Sequence, residues 1–110
     1  MKTSYFAKSW RQPYGVSIAG ACPPFFEGRQ FKKLAPKYWF FQQYKKDGDE
    51  QSYIECYQKE VLDALDAQQV YDDLGSNAIL LCWEGKGKFC HRHLVADWFY
   101  KELGITVEEL

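Results

Sequence analysis

The sequence has little of several features that would place it at an extreme of protein chemistry. Only four of its 110 residues are cysteine, too few for the dense disulfide framework of a small secreted scaffold, so reduced thiols are the expected state. No apolar run approaches the roughly 20 residues needed to cross a bilayer. The longest, Ala78 to Trp83, has the length of a strand. Lys2 to Arg11 mixes polar and aromatic residues, without the basic and apolar blocks of a secretory leader, and a cytoplasmic location is expected. Neither sign of charge dominates, with 14 Lys and Arg against 15 Asp and Glu and a net charge of −1. That balance does not support a strongly basic nucleic-acid scaffold and leaves only local patches for such contacts. Together with 46% hydrophobic residues, it also excludes disorder. Repeats, low-complexity tracts and linkers are absent, so residues 1–110 read as a single domain.

What the chain has in excess is rings. Aromatic residues make up 18%: eight Phe, eight Tyr and four Trp. A core of this size cannot enclose them all, so some should line a groove or an interface.

Residues 2–7 and 15–19 are strand candidates, joined by a turn around Gln12-Pro13-Tyr14-Gly15 that is too short for a helical crossover. As neighbours they should be antiparallel; otherwise another strand lies between them. Pro36 suits the first turn of a helix running to about Lys46. Ser52 and Glu55 form a capping box ahead of Ile54, Tyr57, Val61, Leu62 and Leu65 at helical spacing. Asp66 with Gln69 begins another helical piece that Gly75 stops. The run from Ala78 to Trp83 suits a central strand covered on both faces. A polar Gly-rich loop follows it, then a helix from His91 carrying Leu94, Val95, Trp98, Phe99 and Leu103, with Gly104 as its stop and a last edge strand within 105–110. Strand, loop, helix, strand is the βαβ pattern of parallel sheets. The expected fold is α/β: a compact Rossmann-like three-layer domain with a small, mostly parallel central sheet flanked by helices.

In such sheets ligands settle beyond the carboxyl ends of the strands, where residues 82–93 (Cys-Trp-Glu-Gly-Lys-Gly-Lys-Phe-Cys-His-Arg-His) lie. With a helix starting near His91, Cys90 is its N-cap and His91, Arg92 and His93 fill its first turn. Free N–H groups and the helix dipole make that turn an anion site, to which Arg92, Lys86 and Lys88 add donors. Cations there oppose the dipole, a cost more easily borne where an anion arrives. The same field lowers the pKa of an N-cap thiol, and an adjacent histidine supplies acid–base capacity.

Ordinary structural roles stand beside these. Cys90 reads equally well as a small packing residue and His91 as a capping residue, while Cys82, inside the apolar run, reads as core. Zinc on Cys82, Cys90, His91 and His93 is disfavoured, because the spacing is wrong for a paired-Cys knuckle and adjacent helix positions point apart. No cofactor is expected. The loop lacks the Gly-Lys-Ser/Thr ending of a P-loop, and the positions six after Cys82 and Cys90 are Lys88 and Ala96 rather than the arginine of a phosphatase loop. A second cluster, Lys8, Trp10 and Arg11 with Cys22 to Phe26, sets rings beside cations and could stack a base, or serve as a packed lid.

Taken in order, Leu80-Leu81-Cys82-Trp83-Glu84, a short loop and Phe89-Cys90-His91-Arg92-His93-Leu94-Val95-Ala96 resemble the signature of domain-of-unknown-function family 488. Ser17-Ile18-Ala19 before a Pro-containing loop, Leu34-Ala35-Pro36 and Tyr53, Tyr57 and Glu60 agree with it, over about residues 14 to 100. The resemblance implies a Rossmann-like fold, a site around Cys90, His91 and Arg92, and a bacterial, archaeal or phage setting; it brings no reaction. Many members carry an arginine after the second strand, where Gly20-Ala21 stands here, which would leave its work to Arg11, Arg29 or Arg92.

The expected function is therefore binding of an anionic ligand, a nucleotide or nucleic-acid end, with Arg92, Lys86, Lys88, Trp10 and Arg11 as binding residues. In an enzymatic version Cys90 is nucleophile, His91 its acid–base partner and Glu84 a second acid–base group. The competing reading is a non-catalytic module whose surplus rings meet another protein or a second copy of the chain. Trp10, Tyr14, Phe25, Phe26, Trp83 and Phe89 are the rings expected to border the Cys-His-Arg turn.

Overall fold

A computed structural model describes residues 1–110. Strand β1 (Lys2–Tyr5) turns directly into a single helical turn, α1 (Phe6–Ser9), then come β2 (Gly15–Ser17) and, after a long loop, the two-residue β3 (Arg29–Gln30). Helices α2 (Tyr38–Asp47), α3 (Glu50–Glu60) and α4 (Ala67–Leu74) lead into β4 (Ile79–Cys82), α5 (His91–Leu103) and β5 (Glu108–Glu109). The sheet order is β3-β2-β4-β1-β5 and every pairing is parallel. β4 therefore separates β1 from β2, Tyr5 standing beside Cys82 and Ser17 beside Leu81. Of the two arrangements open for the first strands, the one with a strand between them is realised. The short link between them does serve a parallel crossover, with α1 as its only helical turn.

Being central, β4 is buried at all four positions, which explains its unbroken apolar run. Its side chains alternate between two cores. Leu80 joins Val16, Ile18, Val95, Phe99 and the inner faces of α2 to α5 in a large core, whereas Ile79 and Leu81 meet Phe6, Ala19 and Phe26 in a small one on the other face. These are the three layers, one side thick with helices and the other closed by α1 and the loop after β2. No helix is long and apolar enough to cross a membrane.

Several boundaries shift for local reasons. α3 begins at Glu50 because Asp49, not Ser52, is its N-cap: the Asp49 carboxylate accepts from the Ser52 backbone N–H at 3.1 Å. Lys37 is still extended, so α2 opens at Tyr38 and Pro36 lies outside it. The first strand stops at Tyr5 and the second at Ser17, although Ile18 and Ala19 stay buried. Asp66 caps α4 through the Gln69 N–H as expected, and α5 ends at Gly104, whose φ of 68° is left-handed.

Candidate functional site

The end of β4 and the start of α5 deliver the chemistry. Cys82 is the last residue of β4, Cys90 is the N-cap of α5, and the intervening loop folds back so that their Sγ atoms are bonded to each other. Two of the four cysteines are thus joined where reduced thiols were expected; Cys22 and Cys56 are free. Cys82, read from the sequence as core, is a member of the site.

His91 is buried, and its Nε2 lies 2.7 Å from the Ile18 carbonyl oxygen. A carbonyl can only accept, so the neutral ring carries its proton on Nε2. That leaves the Nδ1 lone pair facing Cys90 Sγ at 3.7 Å. Burial, reinforced by the charges of Arg92 and His93 and opposed by the bond to Ile18, pushes the imidazole down to about 4. At neutral pH His91 is therefore an uncharged acceptor. His93 does not join this cluster; only Cys82, Cys90 and His91 present donor atoms within 4.8 Å of one another. The expectation that adjacent first-turn residues point apart fails for Cys90 and His91 because Cys90, as N-cap, has extended backbone (φ −156°, ψ 149°) that turns its side chain toward the ring.

Arg92 corrects the sequence reading most sharply. Expected to meet an incoming anion, it is wholly buried, and the chain itself occupies its guanidinium. Nε donates to Glu109 Oε1 and Oε2 at 3.0 and 3.2 Å, and Nη2 to Glu109 Oε2 at 2.9 Å and the Gly85 carbonyl at 3.3 Å. Nη1 donates to the Glu84 carbonyl at 2.6 Å and to Cys82 Sγ at 3.1 Å. A cation on the first turn does need an anion, and that anion is Glu109 from β5, held in turn by the Thr3 hydroxyl. Burial alone would raise the Glu109 carboxyl, but the hydrogen bonds from Arg92 and Thr3 outweigh it and hold the group below its ordinary value. In this arrangement Arg92 positions Cys82 and the loop, and offers a ligand nothing. Glu84 likewise serves through its carbonyl; its side chain is exposed and makes no hydrogen bond to the thiols.

Of the cationic residues, Lys86, Lys88 and Arg11 are exposed and unpaired, Arg11 lying 4.6 Å over the half-buried Trp10 ring. Arg29 is spent on the last carbonyls of α4, those of Asp73 and Leu74. Among arginines named for the missing family position, Arg11 is the one whose guanidinium is free.

The six surplus rings separate. Trp83 and Phe25 are 53% and 52% exposed, Trp83 edge-on to Phe6 with its indole N–H on the Ala21 carbonyl, Phe25 edge-on to Trp10. Phe26 is core, and Phe89 packs between Tyr44 and Tyr53. Tyr14 precedes β2 and so stands at the opposite, amino end of the sheet, where it lines a cavity of about 460 Å³ with Arg29, Leu74 and Ala78. That cavity holds no thiol, imidazole or carboxylate side chain.

Glu109 was missed because nothing in the sequence pairs it with Arg92; only the parallel register of β5 on β1, Glu109 beside Thr3, brings it there. No curated protein and no solved structure matches the chain. A family model does: DUF488-N3a, described as the active DUF488-N3 subclade, matches residues 7–103. The match takes in Cys82, Cys90, His91 and Arg92 and leaves outside it the β1 and β5 residues, Thr3 and Glu109, that hold the arginine. Spanning all but the two ends, it shows that the chain belongs to the DUF488-N3a family.

Proposed function

We propose that the chain is a cytoplasmic thiol-centred enzyme acting on a small anionic ligand of the nucleotide class. The carrying observation is the convergence, at the N-terminus of α5, of two cysteine sulfurs and the bare Nδ1 of a neutral imidazole. The description of the matching subclade as active favours catalysis over a purely structural role.

The bonded pair is the resting oxidised form. Two molecules of a small thiol reductant give their hydrogens to Cys82 and Cys90 and leave as their own disulfide. In the reduced chain Cys90 sits where the helix N-terminus favours a thiolate. Cys90 gives its proton to His91 Nδ1 as the thiolate forms, and when that thiolate bonds to an electrophilic centre of the ligand the leaving group departs with the electron pair of the broken bond. Arg92 fixes Cys82 and the loop backbone. Lys86, Lys88 and Arg11 supply the exposed positive charge for a phosphate, and Trp83 and Trp10 the ring faces for a base.

The test pairs two measurements on reduced protein. Iodoacetamide labelling followed by peptide mass spectrometry should modify Cys90 faster than Cys22 and Cys56, although both of those are more exposed. A panel of nucleotides should raise the melting temperature of the wild type and much less that of the Lys86→Ala/Lys88→Ala protein. Labelling of Cys90 slower than of both other thiols, together with no nucleotide shift, rejects the assignment.

A further inference from the structure

The same three side chains have the make-up of a metal site, and we infer that the reduced chain binds one zinc-class divalent cation through Cys82 Sγ, Cys90 Sγ and His91 Nδ1. The inference shares residues with the catalytic reading above but does not depend on the reactivity of Cys90.

Four observations carry it. Two sulfurs and one imidazole nitrogen lie within 4.8 Å of one another, all on buried residues. Two thiolates and an imidazole are the donor set that borderline-soft zinc prefers. His91 is already oriented as a ligand: its Nε2–H donates to the Ile18 carbonyl at 2.7 Å, the outer hydrogen bond that typically fixes a metal-bound histidine, and its Nδ1 is turned to the sulfurs. Ligands at zinc–sulfur and zinc–nitrogen bond lengths on a tetrahedral ion stand about 3.6 Å apart, and Cys90 Sγ and His91 Nδ1 are 3.7 Å apart.

The surroundings suit a charged centre. Binding releases two protons as the thiols become thiolates, and their two negative charges balance the ion. The Arg92 N–H on Cys82 Sγ then serves as a hydrogen bond to a metal-bound thiolate, while Glu109 keeps the guanidinium itself neutralised. Three protein ligands leave the fourth position of a tetrahedral ion to water or to a donor atom of a ligand, the open arrangement of catalytic rather than structural zinc.

The experiment uses the full chain, reduced and stripped of metal, titrated with zinc and separately with cobalt(II). Expected are one equivalent of tightly held metal, protection of two of the four thiols from a thiol-counting reagent, and sulfur-to-cobalt charge-transfer absorption. Cys82→Ser and Cys90→Ser should each weaken binding by more than about 100-fold, beyond what loss of an outer hydrogen bond produces, whereas Cys22→Ser/Cys56→Ser should bind like the wild type. The cobalt spectrum of the wild type gives the answer even if a variant fails to fold. Absence of stoichiometric binding by the reduced wild type, or equal binding after removal of Cys82 and Cys90 together, overturns the inference. Failure here with rapid labelling of Cys90 in metal-free protein removes the metal and leaves the thiol enzyme; binding with slow labelling does the reverse.

Discussion

Arg92, with no exposed surface, is clasped by both carboxylate oxygens of Glu109, three hydrogen bonds between 2.9 and 3.2 Å that join the first turn of α5 to β5. Removing one partner of such a pair leaves a charge buried without compensation, which costs about 3–5 kcal/mol. The Glu109 side chain keeps about a quarter of its surface in solvent, so Glu109→Gln is expected at the lower end, about 3 kcal/mol. Arg92→Met combined with Glu109→Gln should cost less than the sum of the single changes, since the second change then removes a charge already orphaned. Urea unfolding of the four proteins measures this. Strict additivity refutes a coupled pair.

The same carboxylate sets a pH dependence. The folded state holds Glu109 below its ordinary pKa, so its contribution is complete above the unfolded value of about 4.3 and is lost as pH falls through the lower folded value. The stability advantage of the wild type over Glu109→Gln should be constant from about pH 7 to 6 and shrink below about pH 4.5. His91, whose depressed pKa destabilises both proteins in acid, cancels in the difference. An advantage unchanged down to about pH 2.5 contradicts the assignment.

Tyr57 ties α3 to the turn before α2. It is wholly buried, its hydroxyl donates to the Leu34 carbonyl at 2.5 Å, and burial pushes the phenol well above 10. Tyr57→Phe leaves a buried carbonyl without its donor and should cost about 1–3 kcal/mol. Because the phenol does not ionise in the ordinary range, the loss should be the same at pH 6 and pH 9. A loss that shrinks markedly by pH 9 identifies an ionising hydroxyl instead.

The parts of the fold governed by near neighbours in the chain could be read from it. The apolar run of β4, the Asp66 cap of α4 and the Gly104 stop of α5 each depend on residues within a few positions, and each is where the sequence placed it. The site was legible only by location. Cys90 at the N-cap of α5 follows from local pattern, whereas the burial of Arg92 depends on Glu109, seventeen residues away and brought close by a parallel edge strand. Cys82 looked like core because it is core: it is 1% exposed and still bonded to the other thiol of the site. Residue type and burial cannot tell a packing cysteine from a paired one until the loop between β4 and α5 is folded.

The start of α3 offers a local test. Asp49 and Ser52 both belong to residue types that cap helices, and Ser52 with Glu55 has the spacing of a capping box. In the structure Ser52 lies inside the helix and gives its backbone N–H to the Asp49 carboxylate, with Glu50 adding negative charge to the first turn. An N-cap aspartate is worth about 1 kcal/mol over alanine, while an exposed or half-exposed residue in the first turn contributes within about 0.5 kcal/mol. Asp49→Ala should therefore lower the unfolding free energy by about 1 kcal/mol, and Ser52→Ala should leave it nearly unchanged. The reverse order in urea unfolding moves the helix boundary three residues on and returns the cap to Ser52.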